Sequence, residues 1–293
     1  MVTSLAVTAV VVVTSAVVAT AEPVLPGIGI RSGVSSCPAN LVLGFPAAEG
    51  GPQRRDFTDS FATPRPDLWC SADVGTVPGL EYGPQGARFG LPRSDVASML
   101  SEGAFLHDNN EILSTNAADI GDSVRVTVTT DFTNLRGSAG WGYWNRAFDP
   151  AAFSVAWFMY QTGPGYSEVM ARLRGVIQSL GTDTPDGFFV LVRRPGSGLP
   201  IAVQLDDSLL GSEHTYQIDL HPDRVDALVD GEVVASVPGA ASSVAVPPLI
   251  TNLWLDNQYW SPIPFSQFNP EGASSMRMSC LSQARIREHP SEC

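Results

Sequence analysis

The sequence lacks the short motifs that mark the commonest hydrolytic and metal-dependent sites. It contains no G-x-S-x-G element, which would present a serine nucleophile on a strand-to-helix turn. No two of its four histidines have the H-x-x-x-H spacing that places two zinc ligands on one helix face. No cysteine pair has C-x-x-C spacing, and no histidine lies at zinc-site spacing from a cysteine. These absences argue against that class of serine hydrolase and against zinc sites.

Charged side chains are also scarce, and most of them are acidic. They make up 16% of the chain, and the formal net charge is −13. An acidic surface repels a phosphate backbone, so we expect no nucleic-acid partner, and an anionic membrane surface is disfavoured for the same reason. The 27 glycines and 23 prolines are typical of a loop-rich extracellular β protein.

Residues 1–21 predict a secretory signal peptide. The stretch is small and apolar, includes the run Val10–Val13 and ends in the A-x-A site Ala19-Thr20-Ala21. It has no Lys or Arg, so the alternative is a short membrane anchor, because about 20 residues can cross a bilayer. No later segment is apolar for long enough to span a membrane. We therefore expect cleavage before Glu22 and a secreted, extracellular protein.

The rest of the chain divides into an arm and one domain. Residues 22–53, rich in Pro, Gly, Ser and Ala, predict a linker or N-terminal arm. Residues 54–293 suffice for one all-β domain, since sandwiches reach about 200–250 residues as single domains. The cysteine count is even, which in an exported chain predicts two disulfides with three open connectivities among Cys37, Cys70, Cys280 and Cys293.

Period-two alternation dominates the domain. Within residues 214–234, three alternating stretches are separated by Pro222-Asp223 and by Asp230-Gly231. This predicts a β-meander, because Asp-Gly tolerates the positive φ of a tight hairpin turn. Residues 124–129 alternate in the same way, whereas Phe153–Tyr160 is apolar on both faces, as in a strand buried on both sides.

One segment breaks the β pattern. Apolar residues of 167–180 recur at helical spacing, with Ser167 as a candidate N-cap and Gly181 after the last apolar residue. The pattern predicts one short amphipathic helix whose apolar stripe contacts the core.

Several ordered pieces of the chain resemble the concanavalin A-like lectin/glucanase jelly rolls, in particular the family 16 glycoside hydrolases. The segment H-T-Y-x-I-D-L-x-P-D-x-V-x-x-x-V-D-G, which starts at His214, looks like a recurrent segment of that family. Other pieces fit in order: Asp56–Phe61 with Trp69 resembles the opening strand, Leu249–Asn257 the concave-face strand, and Ala284–Arg287 the closing strand. The resemblance implies an all-β, concanavalin A-like jelly-roll sandwich of two antiparallel sheets, to which the segment 167–180 adds one short helix.

The same resemblance bears on the disulfides and on a structural metal. The first and last strands are neighbours in this jelly roll, which favours the pairs Cys70–Cys280 and Cys37–Cys293. A structural calcium is common on the convex side of these folds, and Asp56 and Asp59 are its candidate ligands. No loop has the repeated acidic spacing of a calcium loop. No other cofactor is expected.

The resemblance also sets an expectation for catalytic acids that the sequence does not meet. Retaining family 16 enzymes carry E-x-D-x-E or E-x-D-x-x-E on one concave strand, where alternate carboxylates converge about 5–5.5 Å apart. That strand follows an aromatic-rich one, which Gly140–Trp144 resembles, so the acids would lie in Phe153–Tyr160. This segment has no acid, and E-x-D occurs nowhere in the chain. Catalysis by the family mechanism is therefore not expected, and the fallback carboxylates are Asp149, Glu168 and Asp256.

The strand at 249–258 is the best candidate for a ligand-binding surface. One of its faces combines an aromatic ring with amides and a carboxylate, in the order Ile250, Asn252, Trp254, Asp256 and Gln258. A pyranose has an apolar face for stacking and hydroxyls for polar partners, so this combination suits a sugar. Three aromatics among glycines are candidates to extend the same cleft: Trp141, Tyr143 and Trp144. The alternative is that Trp254 packs beneath a loop and that the aromatic cluster is core.

Together these features predict a secreted carbohydrate-binding protein, a non-catalytic relative of the family 16 hydrolases, whose partner is a polysaccharide or oligosaccharide. One alternative is a glycan hydrolase or lyase that uses non-family carboxylates. Another is a structural or adhesion module of the cell envelope.

Overall fold

The computed structural model describes residues 36–37, 52–73, 80–91, 109–135, 137–146, 152–162, 186–195, 200–239, 248–257 and 273–288. Within these residues, no helix has the length and hydrophobicity needed to cross a bilayer. Several predictions concern residues outside these ranges: the leader at 1–21, most of the arm at 22–53, the helix at 167–180, and Asp149, Glu168, Gln258 and Cys293.

The described residues form fifteen strands and a 3₁₀ turn at Asp207–Leu209. In chain order the strands are β1 (Phe57–Asp59), β2 (Trp69–Ser71), β3 (Glu81–Gly83), β4 (Gly86–Leu91), β5 (Asn109–Ala118), β6 (Asp122–Asp131), β7 (Gly137–Trp144), β8 (Val155–Thr162), β9 (Gly187–Arg193), β10 (Ile201–Gln204), β11 (Glu213–Leu220), β12 (Arg224–Val229), β13 (Glu232–Pro238), β14 (Leu249–Asp256) and β15 (Ser274–Arg285).

The strands build two antiparallel sheets. Sheet A has the order β10-β9-β8-β7-β14-β5-β2. Sheet B has the order β13-β12-β11-β6-β15-β4-β3, with β1 also paired to β15. The predicted all-β sandwich of two antiparallel sheets is confirmed.

The predicted meander is present as β11, β12 and β13. Tyr216, Ile218 and Leu220 of β11 are buried, as their alternation with polar residues indicated. The β12–β13 turn places Asp230 at a φ of 51° and Gly231 at a φ of 85°, the left-handed region that a tight hairpin turn requires.

Inward-facing apolar side chains of both sheets fill one core. Val124, Val126 and Val128 of β6 are each at most 2% exposed, and Leu253 and Leu255 of β14 are fully buried opposite them. This packing is typical of a sandwich in which the inner faces of two sheets interdigitate. It also determines which residues of each strand lie on the outer face of its sheet.

The last strand is longer than the sequence suggested. The prediction that the first and last strands are neighbours is confirmed, because β1 pairs with β15 from Leu281 to Gln283. The predicted closing strand at Ala284–Arg287 is too short and covers only the end of the strand that is present, since β15 runs from Ser274 to Arg285. Met276 and Met278 point into the core and Arg277 between them is exposed. Methionine is not enriched in strands as β-branched residues are, so the alternation was overlooked.

The disulfide pairing inferred from the family is wrong. Cys37 is bonded to Cys70, with their Cα atoms 4.8 Å apart. Cys70 lies on β2 at the outer face of sheet A, where it packs with Leu113 and Ile250. Cys280 belongs to β15 in sheet B, so the preferred Cys70–Cys280 bond would have to join strands of different sheets. Cys280 is itself disulfide-bonded.

Candidate functional site

Alternation along β14 places Asn252 and Trp254 on the outer face of sheet A. Leu253 and Leu255, which alternate with them, belong to the core between the sheets. The predicted division of this strand into two faces is confirmed for these residues, and it makes the outer face of sheet A the candidate site.

Trp254 is buried on that face. Its side chain is 8% exposed, its Nε1 donates to Ser138 Oγ at 3.1 Å, and its ring centroid lies 4.8 Å from that of Trp157. The indole lies across Gly140 of β7, where an added Cβ would overlap the ring. Trp254 is therefore a packed side chain and not the open stacking platform that was predicted.

The outer face of β8 is where the family resemblance places the catalytic acids. The outer-face residues of β8 are Val155, Trp157, Met159 and Gln161, and they lie beside the outer-face residues of β7. Trp157 is 4% exposed, and its Nε1 donates to Asn252 Oδ1 at 2.8 Å. This row offers no carboxylate, so it cannot supply the acid pair of a retaining glycosidase.

A second apolar cluster covers this part of sheet A, and we call it the tryptophan cluster. Its buried members come from β8, β9, β14 and the residues before β8: Phe153, Val155, Trp157, Met159, Phe189, Leu191 and Trp254. Half-buried Trp144 packs against it, 5.5 Å from Trp157 between ring centroids and nearly perpendicular to it. Side chains of the protein itself therefore occupy the surface that was predicted to bind a ligand.

Two of the predicted cleft aromatics lie on the other side of the sheet. Trp141 and Tyr143 are at most 1% exposed in the core between the sheets, and Trp141 packs 4.7 Å from Tyr216. The prediction that they share a surface with Trp254 is wrong. Gly140, which lies against the outer-face ring of Trp254, precedes Trp141, so the period-two pattern itself places these rings inward. Trp144, one residue later, does reach the outer face.

A buried ion pair, Glu111–Arg146, lies on the same face. Arg146 Nη1 is 2.9 and 3.0 Å from the two carboxylate oxygens of Glu111, and both side chains are at most 8% exposed. Arg146 has a φ of 56°, and its guanidinium lies 4.4 Å from the centre of the Trp144 ring. The arginine therefore occupies a position over an aromatic face that a ligand could otherwise take.

The electrostatics of this pair follow from its burial. Desolvation raises the pKa of Glu111, the charge and hydrogen bond of Arg146 lower it, and the carboxylate of Asp256 raises it. Asp256, one of the three fallback carboxylates, is half-buried on β14 and is close enough to Glu111 to raise its pKa. Sequence reasoning missed Glu111 and Arg146, which are 35 residues apart. No local sequence signal marks the pair, because each residue takes its role from a partner that is distant in the chain.

The candidate calcium ligands are engaged by protein donors. Asp59 accepts hydrogen bonds from the Phe61 amide at 2.9 Å and from Trp69 Nε1 at 2.7 Å. Asp56 pairs with Arg54. In the part of the chain that the structure describes, no three or more His, Cys, Asp or Glu side chains are grouped to hold a metal ion. A structural calcium stays a prediction.

Ser212, His214 and Asp230 form a hydrogen-bonded chain in the order of a catalytic triad. Ser212 Oγ is 2.8 Å from His214 Nε2, and His214 Nδ1 is 2.7 Å from Asp230 Oδ2. Asp230 also accepts from the Thr215 amide, and its side chain is 55% exposed. Partial burial would raise the pKa of Asp230, but these hydrogen bonds lower it. The chain of hydrogen bonds fastens the β12–β13 turn to β11, which is a structural role.

No family model matches the sequence, and no curated protein matches it. Solved structures share its fold at low identity. A β-glucanase of Bacillus licheniformis is 14% identical, with a TM-score of 0.52 over 81% of this chain and 99% of that one. A family 16 hydrolase of Bacteroides ovatus, solved with a G4G4G3G product, is 9% identical, with a TM-score of 0.51 over 78% and 99%.

A third solved structure is an immunostimulatory antigen and pseudo β-1,3-glucanase of Mycobacterium tuberculosis. It is 12% identical, with a TM-score of 0.51 over 80% of this chain and 98% of that one. At such identities the likeness concerns the fold, and it confirms the concanavalin A-like jelly roll shared with the family 16 glucanases.

Proposed function

We propose that this chain is a secreted, non-catalytic jelly-roll protein that binds carbohydrate. The observation that carries the non-catalytic part is the outer face of β8. Val155, Trp157 and Met159 occupy the alternate positions at which family 16 enzymes carry their acids, and all three are buried in the tryptophan cluster. Two converging carboxylates are the minimum apparatus for retaining hydrolysis, and an apolar row does not provide them.

Carbohydrate binding is supported by the solved structures that share this fold. Structures of this shape include a β-glucanase and a hydrolase with a bound oligosaccharide product. They also include a pseudo-glucanase, so the same scaffold accommodates loss of catalysis. Fold alone does not assign function, and the choice between these outcomes rests on the residues of β8.

Secretion is supported by the leader and by the crosslink. The Cys37–Cys70 disulfide ties the segment before the domain to β2, and such bonds persist in oxidising compartments. We expect the mature chain to begin at Glu22 and to contain no free thiol. Titration of the denatured, unreduced secreted protein with a thiol reagent checks this, and two or more reactive thiols per chain would contradict it.

Two assays on one preparation test the functional proposal. The purified protein is screened against an array of neutral and acidic glycans, and reducing-end release from mixed-linkage β-glucan is followed in parallel. Binding without release is the expected result. Release that disappears in Asp256→Asn would instead support the hydrolase alternative, because Asp256 lies beside Glu111 on this face.

The closed outer face of sheet A specifically favours one further candidate function. Among the residues that the structure describes, aromatic and aliphatic side chains fill this surface and stabilise the domain, as expected of a structural or adhesion module. Absence of both binding and release in the same two assays would support that module and reject carbohydrate binding.

A further inference from the structure

A groove of about 570 Å³ opens on the side of the molecule that the tryptophan cluster does not cover. It is lined by the outer ends of β4, β6 and β15 in sheet B, the end of β8 and the 3₁₀ turn. Small-molecule sites occupy about 300–1,000 Å³, so the groove has the size of an oligosaccharide subsite.

One half of the groove is cationic. Arg88 of β4 and Arg277 of β15 are directly opposite each other in the antiparallel register. Like charges in this arrangement repel. Arg88 lies 3.8 Å from Glu81, and both side chains are largely exposed, while Arg277 Nη1 donates to the neutral Gln85 side chain at 3.3 Å. The two guanidiniums therefore present planar donors that are weakly neutralised and accessible to an anionic group.

The other half offers acceptors and an aromatic ring. Asp131 is exposed at the end of β6, and Asp207 accepts the Phe188 amide at 2.9 Å while remaining exposed. Tyr160 is partly exposed and is stacked on Phe132 with ring centroids 5.2 Å apart. Carboxylates accept from sugar hydroxyls, and an aromatic face packs against the apolar face of a pyranose.

Two small residues lie beside the arginines. Gly90 of β4 faces outward, and a Cβ added there would meet no atom within 4 Å. Its partner across the strands is Ser275 of β15, which lines the groove. The wall of the groove at Ser275 is therefore low, and no side chain of Gly90 restricts the approach of a ligand from β4.

We infer that this groove binds an acidic saccharide, with its anionic group on Arg88 and Arg277 and its hydroxyls towards Asp131 and Asp207. This inference deepens the proposed carbohydrate binding and rests on it. A ligand that is anionic throughout is disfavoured by the two carboxylates, whereas a sugar with one acidic substituent matches both halves. The acidic group can be a carboxylate or a sulfate ester, which share the bidentate geometry that arginine recognises.

The test uses the full secreted chain and three galactose tetrasaccharide probes of equal length: one with a single galacturonate residue, one with a single sulfate ester, and the neutral oligomer. Titration calorimetry is performed on the wild type, on the double variant Arg88→Gln/Arg277→Gln and on Arg65→Gln. Arg65 forms an exposed ion pair with Asp67 outside the groove lining, so its variant matches one charge change without touching the site.

One acidic probe is expected to bind more tightly than the neutral one, and the probe that binds identifies the carboxylate or sulfate source. The double variant should weaken that binding about tenfold to a hundredfold, the scale of one lost charged hydrogen bond. Arg65→Gln should bind as the wild type does.

The remaining outcomes separate the two proposals. Acidic binding that survives in the double variant, or binding of neutral glycans alone, overturns the groove assignment and leaves carbohydrate binding intact. Failure of every glycan in the array and of all three probes overturns both.

Discussion

The outer faces of the two sheets differ in how much of their side chains is exposed. On sheet A, the tryptophan cluster and the Glu111–Arg146 pair bury the outer side chains. On sheet B, Arg88, Arg277 and Asp131 remain exposed around a groove. A jelly roll normally needs one core between its sheets. Here sheet A carries apolar packing on both faces, and the groove for which we infer saccharide binding is lined mainly by sheet B.

The difference teaches that burial, and not residue type, decides which aromatic side chains a ligand can reach. Trp254 has polar neighbours at alternate positions, yet its own chain covers it. Tyr160 has an unremarkable sequence context, yet it reaches the groove. Each prediction below tests this difference in burial between the two outer faces.

The largest effect is expected from Trp157→Ala. The side chain is 4% exposed at the centre of the tryptophan cluster, and removal of such a ring costs about 3–5 kcal/mol through lost burial and a residual cavity. Urea unfolding followed by circular dichroism measures this loss. The control Val233→Ala, at a position 57% exposed, should change stability by no more than about 0.5 kcal/mol. Equal free energies of unfolding for the two variants would contradict the burial of the outer face of sheet A.

Arg146→Met should come next, at about 3 kcal/mol near neutral pH, because breaking a buried pair leaves an uncompensated carboxylate. Burial already raises the pKa of Glu111, and loss of Arg146 raises it further, so the folded state holds the proton more tightly. The variant's deficit should therefore be small below the ordinary glutamate pKa of 4.5 and grow as pH rises through the folded value. Unfolding at several pH values measures it.

The control for that series is Arg65→Met, which removes an exposed ion pair. Because Arg65 lowers the pKa of Asp67, the effect of this variant is confined to acidic pH, and its stability relative to the wild type should show no trend above about pH 5. A deficit of Arg146→Met that shrinks as pH rises would contradict the assignment of Glu111 as its cause.

A pair of glycine variants compares the two outer faces directly. Gly140→Ala places a Cβ against the Trp254 ring and the Phe158 carbonyl oxygen, and overpacking of this kind costs about 1–3 kcal/mol. Gly90→Ala enters open space on sheet B and should cost nothing or stabilise by up to about 1 kcal/mol, since alanine restricts the unfolded chain. Thermal unfolding of the two variants is the measurement, and equal midpoints would show that sheet A is not closed.

The smallest stability effect is expected from Arg88→Gln/Arg277→Gln. Both side chains are exposed and repel each other across β4 and β15, so their loss should change the free energy of unfolding by less than about 0.5 kcal/mol. Chemical denaturation checks this. A large loss would mean that the arginines are structural and that the groove is not free to take a ligand.

Much of the fold could be predicted from the sequence because its strands alternate cleanly. The β6 valines and the β11–β13 meander specify face and turn through local chemistry. β15 was predicted too short, since Met276 and Met278 give a weaker signal than β-branched residues. Cys37–Cys70 was missed because pairing depends on which sheet each cysteine joins, and four cysteines leave three choices.

The candidate site was less predictable for a related reason. Alternation placed Asn252 and Trp254 on one face correctly, but exposure depends on what lies above that face. The period-two alternation of Trp141 and Tyr143 with Gly140 and Gly142 predicts that both rings share one face, and the structure places that face in the core. The Glu111–Arg146 pair joins distant strands and has no local signature.

The free energy of unfolding of Trp254→Ala, measured together with its glycan affinity, tests most directly whether the outer face of sheet A is packed core. The account predicts a loss of about 3–5 kcal/mol with an unchanged denaturant slope, and glycan affinity equal to that of the wild type under conditions where the variant is folded. An unchanged free energy of unfolding with lost glycan binding would contradict it, because Trp254 would then be an exposed stacking platform.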